Sequence, residues 1–388
     1  MPSRLALLLA VILLACGCTG GQAPGRPAKH GAEPVTFRGP GTVAVTPDAK
    51  GIGFSVPVFP MLSHREQIAW LADFKALGIS WIRINITWAI VQPTRTSSYN
   101  WSRYNAAVAE ADAYGIHVDA QADFSAPWAR SPGCAPTQTL CQPASPTLYA
   151  RYAAAIARHF GDGISAEEIW NEPNSVRFWH PRPNPGFYVR MLKAAYVAIK
   201  AVDPRLIVVS GGLAPEMDNG TDISALTFAE DMYRDGAKGF FNAFGYHPYS
   251  FPYLPDQYRP WSAWSQMAQT RPSIRSIMTA HGDAATPIWI TEVGAPTGGP
   301  GAAAGCGPGV RFAASERHDS QCLQAAEITQ VVQNEESADW LGPAFIYSFQ
   351  DLGTDEGNLH DFFGLRTAYG TDKSSYFALK RALAARSR

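Results

Sequence analysis

Two carboxylates in this chain stand where apolar runs end. Glu172 falls in Glu168-Ile169-Trp170-Asn171-Glu172-Pro173-Asn174, and Glu292 closes Ile288-Trp289-Ile290-Thr291-Glu292-Val293-Gly294. Cleaving a glycosidic bond needs such a pair: a proton for the poor alkoxide leaving group, and a negative group to meet an oxocarbenium-like centre. Carboxyls about 5–5.5 Å apart let the second attack the anomeric carbon with retention, whereas about 6.5–9.5 Å admits a water and inverts the centre. A single glutamate at such a position is ordinarily a solvated surface charge. The weight therefore rests on the pair and on the elements that hold it.

Those elements read as a repeated βα pattern. Strand-like runs fall at Gly51–Val56, Ser80–Ile86, His117–Ala122, Glu168–Trp170, Leu206–Ser210, Ala243–Tyr246, Pro287–Thr291 and Ala344–Phe349. Amphipathic stretches separate them, including Glu66–Leu77, Ala106–Tyr114, Leu148–Phe160, Tyr188–Val202, Ser224–Arg234, Ala325–Glu336 and Ser374–Ala385. Two of these stop at Gly78 and Gly115, where a left-handed residue ends a helix. The pattern implies an α/β fold, a (β/α)8 TIM barrel, whose chemistry sits at the C-terminal ends of its strands. Glu172 and Glu292 then follow the fourth and seventh strands and can face each other across the mouth.

An Asn-Glu-Pro after strand four with a glutamate ending strand seven resembles clan A of the glycoside hydrolases, over nearly the whole of residues 51–388. The resemblance implies that Glu172 is the acid/base, Glu292 the nucleophile, and Asn171 a partner of the sugar 2-hydroxyl. Arg83, in Trp81-Ile82-Arg83-Ile84-Asn85, resembles the clan's second-strand arginine near the nucleophile. His247 and Tyr249 resemble its sixth-strand His-x-Tyr. Thr87-Trp88-Ala89-Ile90-Val91-Gln92-Pro93 and Tyr99-Asn100-Trp101 are similar to families 39 and 42, and Val293-Gly294 after the nucleophile is nearer to family 5. One position departs: Phe345-Ile346-Tyr347-Ser348 has no tryptophan at the end of strand eight. Arg83 and His247 also have plainer readings, as a structural ion pair and a core histidine.

Of 11 tryptophans, Trp88, Trp128, Trp179, Trp261 and Trp264 fall in loops after strands, where rings can stack on sugar C–H faces; core packing explains any one of them equally well. Trp88, Trp128 and Trp179 are read as substrate-binding, and Ser250–Trp264 as a source of subsites. The 17% charged fraction and net charge of −1 show no basic face for nucleic acid. No HxH or HxxxH pair occurs among nine histidines and no CxxC in the domain, so neither a metal site nor a cofactor is expected.

Arg4 and the apolar run Leu5–Ala15 suit an export signal (residues 1–15), too short to span a bilayer. Leu13-Leu14-Ala15-Cys16 resembles a lipobox, with Cys16 as the lipidated residue and Cys18 a poorer candidate; the alternative is a freely secreted chain. Residues 16–48 read as a linker and 49–388 as the catalytic domain. Cys134 with Cys141, and Cys306 with Cys322, read as disulfides of an oxidising compartment. The expected function is a retaining O-glycoside hydrolase on an envelope or extracellular poly- or oligosaccharide. Transglycosylation by the same residues and an inactive carbohydrate-binding lipoprotein are the alternatives.

Overall fold

The computed structural model describes residues 45–135, 137–306 and 315–386. The expected export signal, Cys16, Cys18 and nearly all of the linker lie outside the described residues. Eight parallel strands form one sheet in the order β5-β4-β3-β2-β1-β10-β7-β6. They are β1 (Ile52–Ser55), β2 (Trp81–Thr87), β3 (His117–Asp123), β4 (Ala166–Ile169), β5 (Ile207–Ser210), β6 (Phe244–Tyr246), β7 (Ile288–Val293) and β10 (Leu341–Ile346). Isolated backbone bonds beside β5 and β6, from Ser210 N to Ala243 O (3.0 Å) and from Leu213 N to Gly245 O (3.3 Å), bring the two ends of the sheet together into a nearly closed barrel.

Local chemistry sets the helices between them. Helix α1 (His64–Leu77) starts in a capping box of Ser63 with Glu66 and stops at Gly78, whose φ of 86° suits glycine. Asn184 caps the Pro185–Lys200 helix and Ser145 the Pro146–Phe160 helix, each with proline in the first turn. The sequence reading assigned no helix between β6 and β7. Two short ones lie there, Ala263–Ala268 and Ile274–Ala280, separated by a segment that contains Pro272. Proline has no N–H to donate, so one continuous helix cannot run through it.

Alternation along the strands divides the barrel into an outer and an inner set. On β2, Ile82, Ile84 and Ile86 are fully buried towards the helices, whereas Trp81 and Arg83 face inwards. Trp81, Ala166, Ile207, Val209, Ala243, Trp289 and Phe345 pack as an apolar floor. One register row, Ser55, Arg83, Asp119 and Ala166, runs across four neighbouring strands at the floor's upper margin. Beneath the floor the entering chain crosses the closed end: Val45 packs on it, Trp289 Nε1 donates to Pro47 O (2.6 Å), and Lys50 Nζ donates to Leu341 O (2.8 Å).

The loop after β7 holds a feature absent from the sequence reading, a parallel ribbon of β8 (Ala302–Ala304) and β9 (Glu316–Asp319). It sits beside the Cys306–Cys322 disulfide; Cys134–Cys141 staples the loop after β3. Asp319 and, in the helix Gln321–Ser337, Glu327 are both buried. Burial pushes Asp319 up to about 8, and burial together with the charge of Asp319 pushes Glu327 well above the ordinary range. The folded protein thus holds protons there that the unfolded chain releases near pH 4. Stability from this site is complete below the ordinary value of 3.8 and is lost as pH rises towards about 8. Asp319→Asn should remove up to one proton from the linkage, about 1.4 kcal/mol per pH unit of slope. Denaturant midpoints across pH 4–8 that keep the wild-type slope would contradict this.

Among the described residues no helix is long and apolar enough to cross a membrane.

Candidate active site

The site lies at the strand ends opposite the entering chain, and Arg83 is its hub. Fully buried on β2, it meets Glu168 of β4 with two nitrogens (Nε to Oε2 2.5 Å, Nη2 to Oε1 3.2 Å). Its Nη2 also donates to Asn171 Oδ1 (3.0 Å), and its Nη1 to Ser55 Oγ (3.0 Å) and Glu292 Oε1 (2.5 Å). A planar guanidinium with five fixed donors can grip one carboxylate through two nitrogens while holding other partners, a fork that the single nitrogen of a lysine cannot form. The gripping carboxylate, Glu168, was missed as a site residue. It sits two positions after Ala166 on the inward face, and a buried acid on a strand is itself a sign of a buried cation.

Glu292 is held from three sides. Besides Arg83, the Tyr249 hydroxyl donates to Oε2 (2.8 Å), and His247 Nδ1 lies 3.9 Å from the same oxygen. Burial alone would raise its carboxyl. The fields of His247 and Arg83 and the hydrogen bonds from Tyr249 and Arg83 outweigh that and hold Glu292 below its ordinary value. Burial and the Glu292 charge push the Tyr249 hydroxyl well up, so it remains a donor.

Glu172 is presented by a strained turn. The chain leaves β4 at Ile169, and Trp170 (φ 74°) and Glu172 (φ 45°) both adopt the left-handed region, at a cost on the order of 1–3 kcal/mol each. Three anchors hold the turn. Trp170 is fully buried with its indole N–H on Phe178 O (3.0 Å), Glu172 N donates to Gly212 O (3.0 Å), and Asn174 bonds Ala214 O and Ile223 O (2.9 Å each). His247 Nδ1 then lies 2.8 Å from Glu172 Oε1.

The Glu172 and Glu292 carboxylates and the His247 ring nitrogen lie within 4.8 Å of one another. That spacing would also suit a cation, but the guanidinium of Arg83 already supplies the positive charge that Glu292 needs. Gly212 explains how His247 reaches this position. A Cβ there would collide with His247 Nε2 and Thr291 Oγ1, while the Gly212 N–H donates to Glu168 Oε1 (2.8 Å). Gly212→Ala should displace His247 and lower kcat by about 100-fold, the order expected for roughly 1 Å of misplacement, on any substrate that wild type turns over. Wild-type kcat with a folded variant would contradict that role.

The three tryptophans read as substrate-binding divide. Trp88 and Trp179 are corrected to core residues: both are buried, Trp88 stacked on Tyr152 (5.0 Å) and Trp179 edge-on to Trp170 (5.3 Å). Each lies between strand ends and helices, where packing covers both ring faces. Trp128 is half-buried, its N–H on Gln92 O (3.0 Å). Of the pair in Ser250–Trp264, Trp264 is buried and Trp261 is 58% exposed. At the end of β10, where a tryptophan was looked for, Tyr347 packs against Phe363 and is followed by a cis peptide to Ser348. From opposite sides of the mouth, Arg177 in the loop after β4 meets His360 in the loop after β10 (Nη1 to Nε2, 3.0 Å).

Eight parallel strands in a barrel, with two carboxylates and an arginine gathered at the C-terminal mouth, define the class: a (β/α)8 barrel. Solved glycoside hydrolases share this fold. A family 39 glycoside hydrolase from Bacteroides cellulosilyticus superimposes with a TM-score of 0.64 at 19% identity, covering 87% of this chain and 64% of its own length. A GH5_18 protein from Streptomyces cattleya in complex with GlcNAc gives 0.58 at 17% identity, covering 88% and 80%. An exo-β-1,4-mannosidase from an Opitutaceae bacterium gives 0.53 at 15% identity, covering 87% and 59%. No family model and no curated protein matches the chain.

Proposed function

We propose that the protein is a retaining O-glycosidase acting on an oligo- or polysaccharide outside the cytoplasm. The observation that carries this is the closeness of Glu172 and Glu292, within 4.8 Å, with Arg83 seated on the second carboxylate only. An oxygen of each within that distance supports the closer, retaining arrangement over the wider, inverting one. Glu172 gives its proton to the glycosidic oxygen while Glu292, kept ionised by Arg83, His247 and Tyr249, attacks the anomeric carbon. Glu172 then takes a proton from water, which opens the glycosyl-enzyme. Asn171, its Oδ1 held by Arg83, keeps its amide N–H groups to donate to the 2-hydroxyl.

Proton NMR of the first product formed tests the reading. The same anomer as the substrate is expected, and the opposite anomer would overturn it. The acid limb gives a second check. Because Glu292 is held below its ordinary value of 4.5, kcat/KM should fall only as pH drops through a value under 4.5. A limb centred above pH 5, measured on an aryl glycoside with a good leaving group, would contradict the environment assigned to Glu292.

Transglycosylation differs only in the acceptor, and products formed with added sugar distinguish it. A binding protein has no use for a proton donor poised over a half-buried, arginine-clamped carboxylate. The two disulfides suit an oxidising compartment. We take the chain to be exported and lipid-anchored at Cys16, which incorporation of labelled palmitate into wild type but not Cys16→Ala would test.

A further inference from the structure

The mouth is not equally open on all sides. Arg177 and His360 meet across it, from loops of strands that stand opposite one another in the barrel. The loops after β5 and β6, by contrast, leave a cleft of about 230 Å3 lined by Pro215, Glu216, Met217, Trp261, Ala263 and Gln266. Two of the large apolar side chains that the protein leaves most open to solvent are here, Met217 (74% exposed) and Trp261 (58%), with Tyr258 (54%) nearby in sequence. Trp261 is held edge-on against Tyr253 (4.9 Å, 81°), which fixes the ring while leaving much of it uncovered.

One lining residue, Glu216, ties the cleft to the acid/base side of the site. Glu216 Oε1 accepts from the Ser175 hydroxyl (2.8 Å), and Ser175 N donates to Glu172 O (3.0 Å). Burial raises the Glu216 carboxyl against its Ser175 hydrogen bond, with the charges of Asp222 and then Glu172 adding to the rise. In a double displacement the acid/base stands over the leaving group, so a cleft on this side receives what departs. Its contents suit a sugar. An indole presents a flat face to pyranose C–H groups, Met217 adapts to an irregular edge, and the Glu216 carboxylate and Gln266 amide can pair with hydroxyls. The volume falls below the roughly 300–1,000 Å3 of sites for drug-sized ligands, which fits one ring rather than a chain.

We propose that this cleft is the leaving-group subsite, in which Trp261 stacks on, and Glu216 accepts hydroxyls from, the sugar immediately beyond the cleaved bond. The inference rests on the glycosidase reading above and narrows it, because the substrate must then be a glycan and not a small aglycone conjugate. The same sugar-shaped seat receives an acceptor when the glycosyl-enzyme is opened by a carbohydrate.

The test compares leaving groups. Glycosyl fluorides place nothing in the cleft, whereas α- and β-linked tetrasaccharides of glucose, xylose, mannose, galactose and arabinose fill it. For the sugar that wild type cleaves, Trp261→Ala should lower the ratio of kcat/KM on the tetrasaccharide to that on the fluoride at least tenfold, mainly through KM. Trp261→Phe should restore most of the loss, and Glu216→Gln should lower the ratio several-fold. An unchanged ratio, or equal losses on both substrates, overturns the subsite. Calorimetric binding of the same panel to Glu292→Gln separates this from failure of the glycosidase reading. Affinity lost on adding Trp261→Ala supports the cleft even where no turnover is seen; equal affinity, or no bound member of the panel, overturns it.

Discussion

Glu292→Gln should abolish turnover of every glycoside, by on the order of 10^4-fold or more, good leaving groups included, because the proposed mechanism gives it the attack on the anomeric carbon. The surroundings make this a sharp test. Arg83, Tyr249 and Ser55 bond this carboxylate, and a neutral amide in its place leaves the buried guanidinium facing a group without charge. Some destabilisation is therefore expected, and circular dichroism must accompany the kinetics. Glu292→Gly with added azide resolves the ambiguity. Azide fills the vacated space and attacks directly, so a glycosyl azide of inverted configuration should form from an activated substrate. A retained azide, or full activity in either variant, would move the nucleophile elsewhere.

Glu172→Gln should act selectively. Substrates with poor leaving groups should lose about 10^2–10^4-fold, the range that general acid catalysis contributes, while activated aryl glycosides should still form the glycosyl-enzyme. Deglycosylation should then slow, since the proposed mechanism also makes Glu172 the base, and a burst of phenolate followed by a slow steady state is expected. Azide should restore turnover and give a product of retained configuration, opposite to the Glu292 result. Equal losses on both substrate types would exclude the role. Glu172 carries backbone strain and the His247 contact but no arginine. The variant should therefore cost less stability than its counterpart on β7.

Much of this arrangement was legible in the chain. Glu172 and Glu292 stand out because an apolar run buried on a barrel strand must end at the mouth, and a carboxylate there needs a reason. Arg83 was legible through its resemblance to the second-strand arginine of clan A, not from its own strand. What escaped has physical explanations. Glu168 sits inside its run, and nothing local distinguishes an inward acid from an outward one until a partner is known. Trp88 and Trp179 sit where chain direction changes, and no periodicity there says which way a ring turns. Ala302–Ala304 has no strand propensity to speak of; it pairs because β9 is held beside it. The Glu216–Trp261 cleft joins two loops whose adjacency exists only once β5 and β6 come together.

The segment from Val45 to Lys50 crosses the floor on the face away from Glu172 and Glu292. The described chain therefore enters the barrel at its base. On the proposal that Cys16 carries a lipid, the anchored end would meet the barrel at the face opposite Glu172 and Glu292. Long, branched or immobile glycans would then be reachable without first threading between enzyme and membrane. Immobilisation through the amino terminus would keep the same attitude on a solid support.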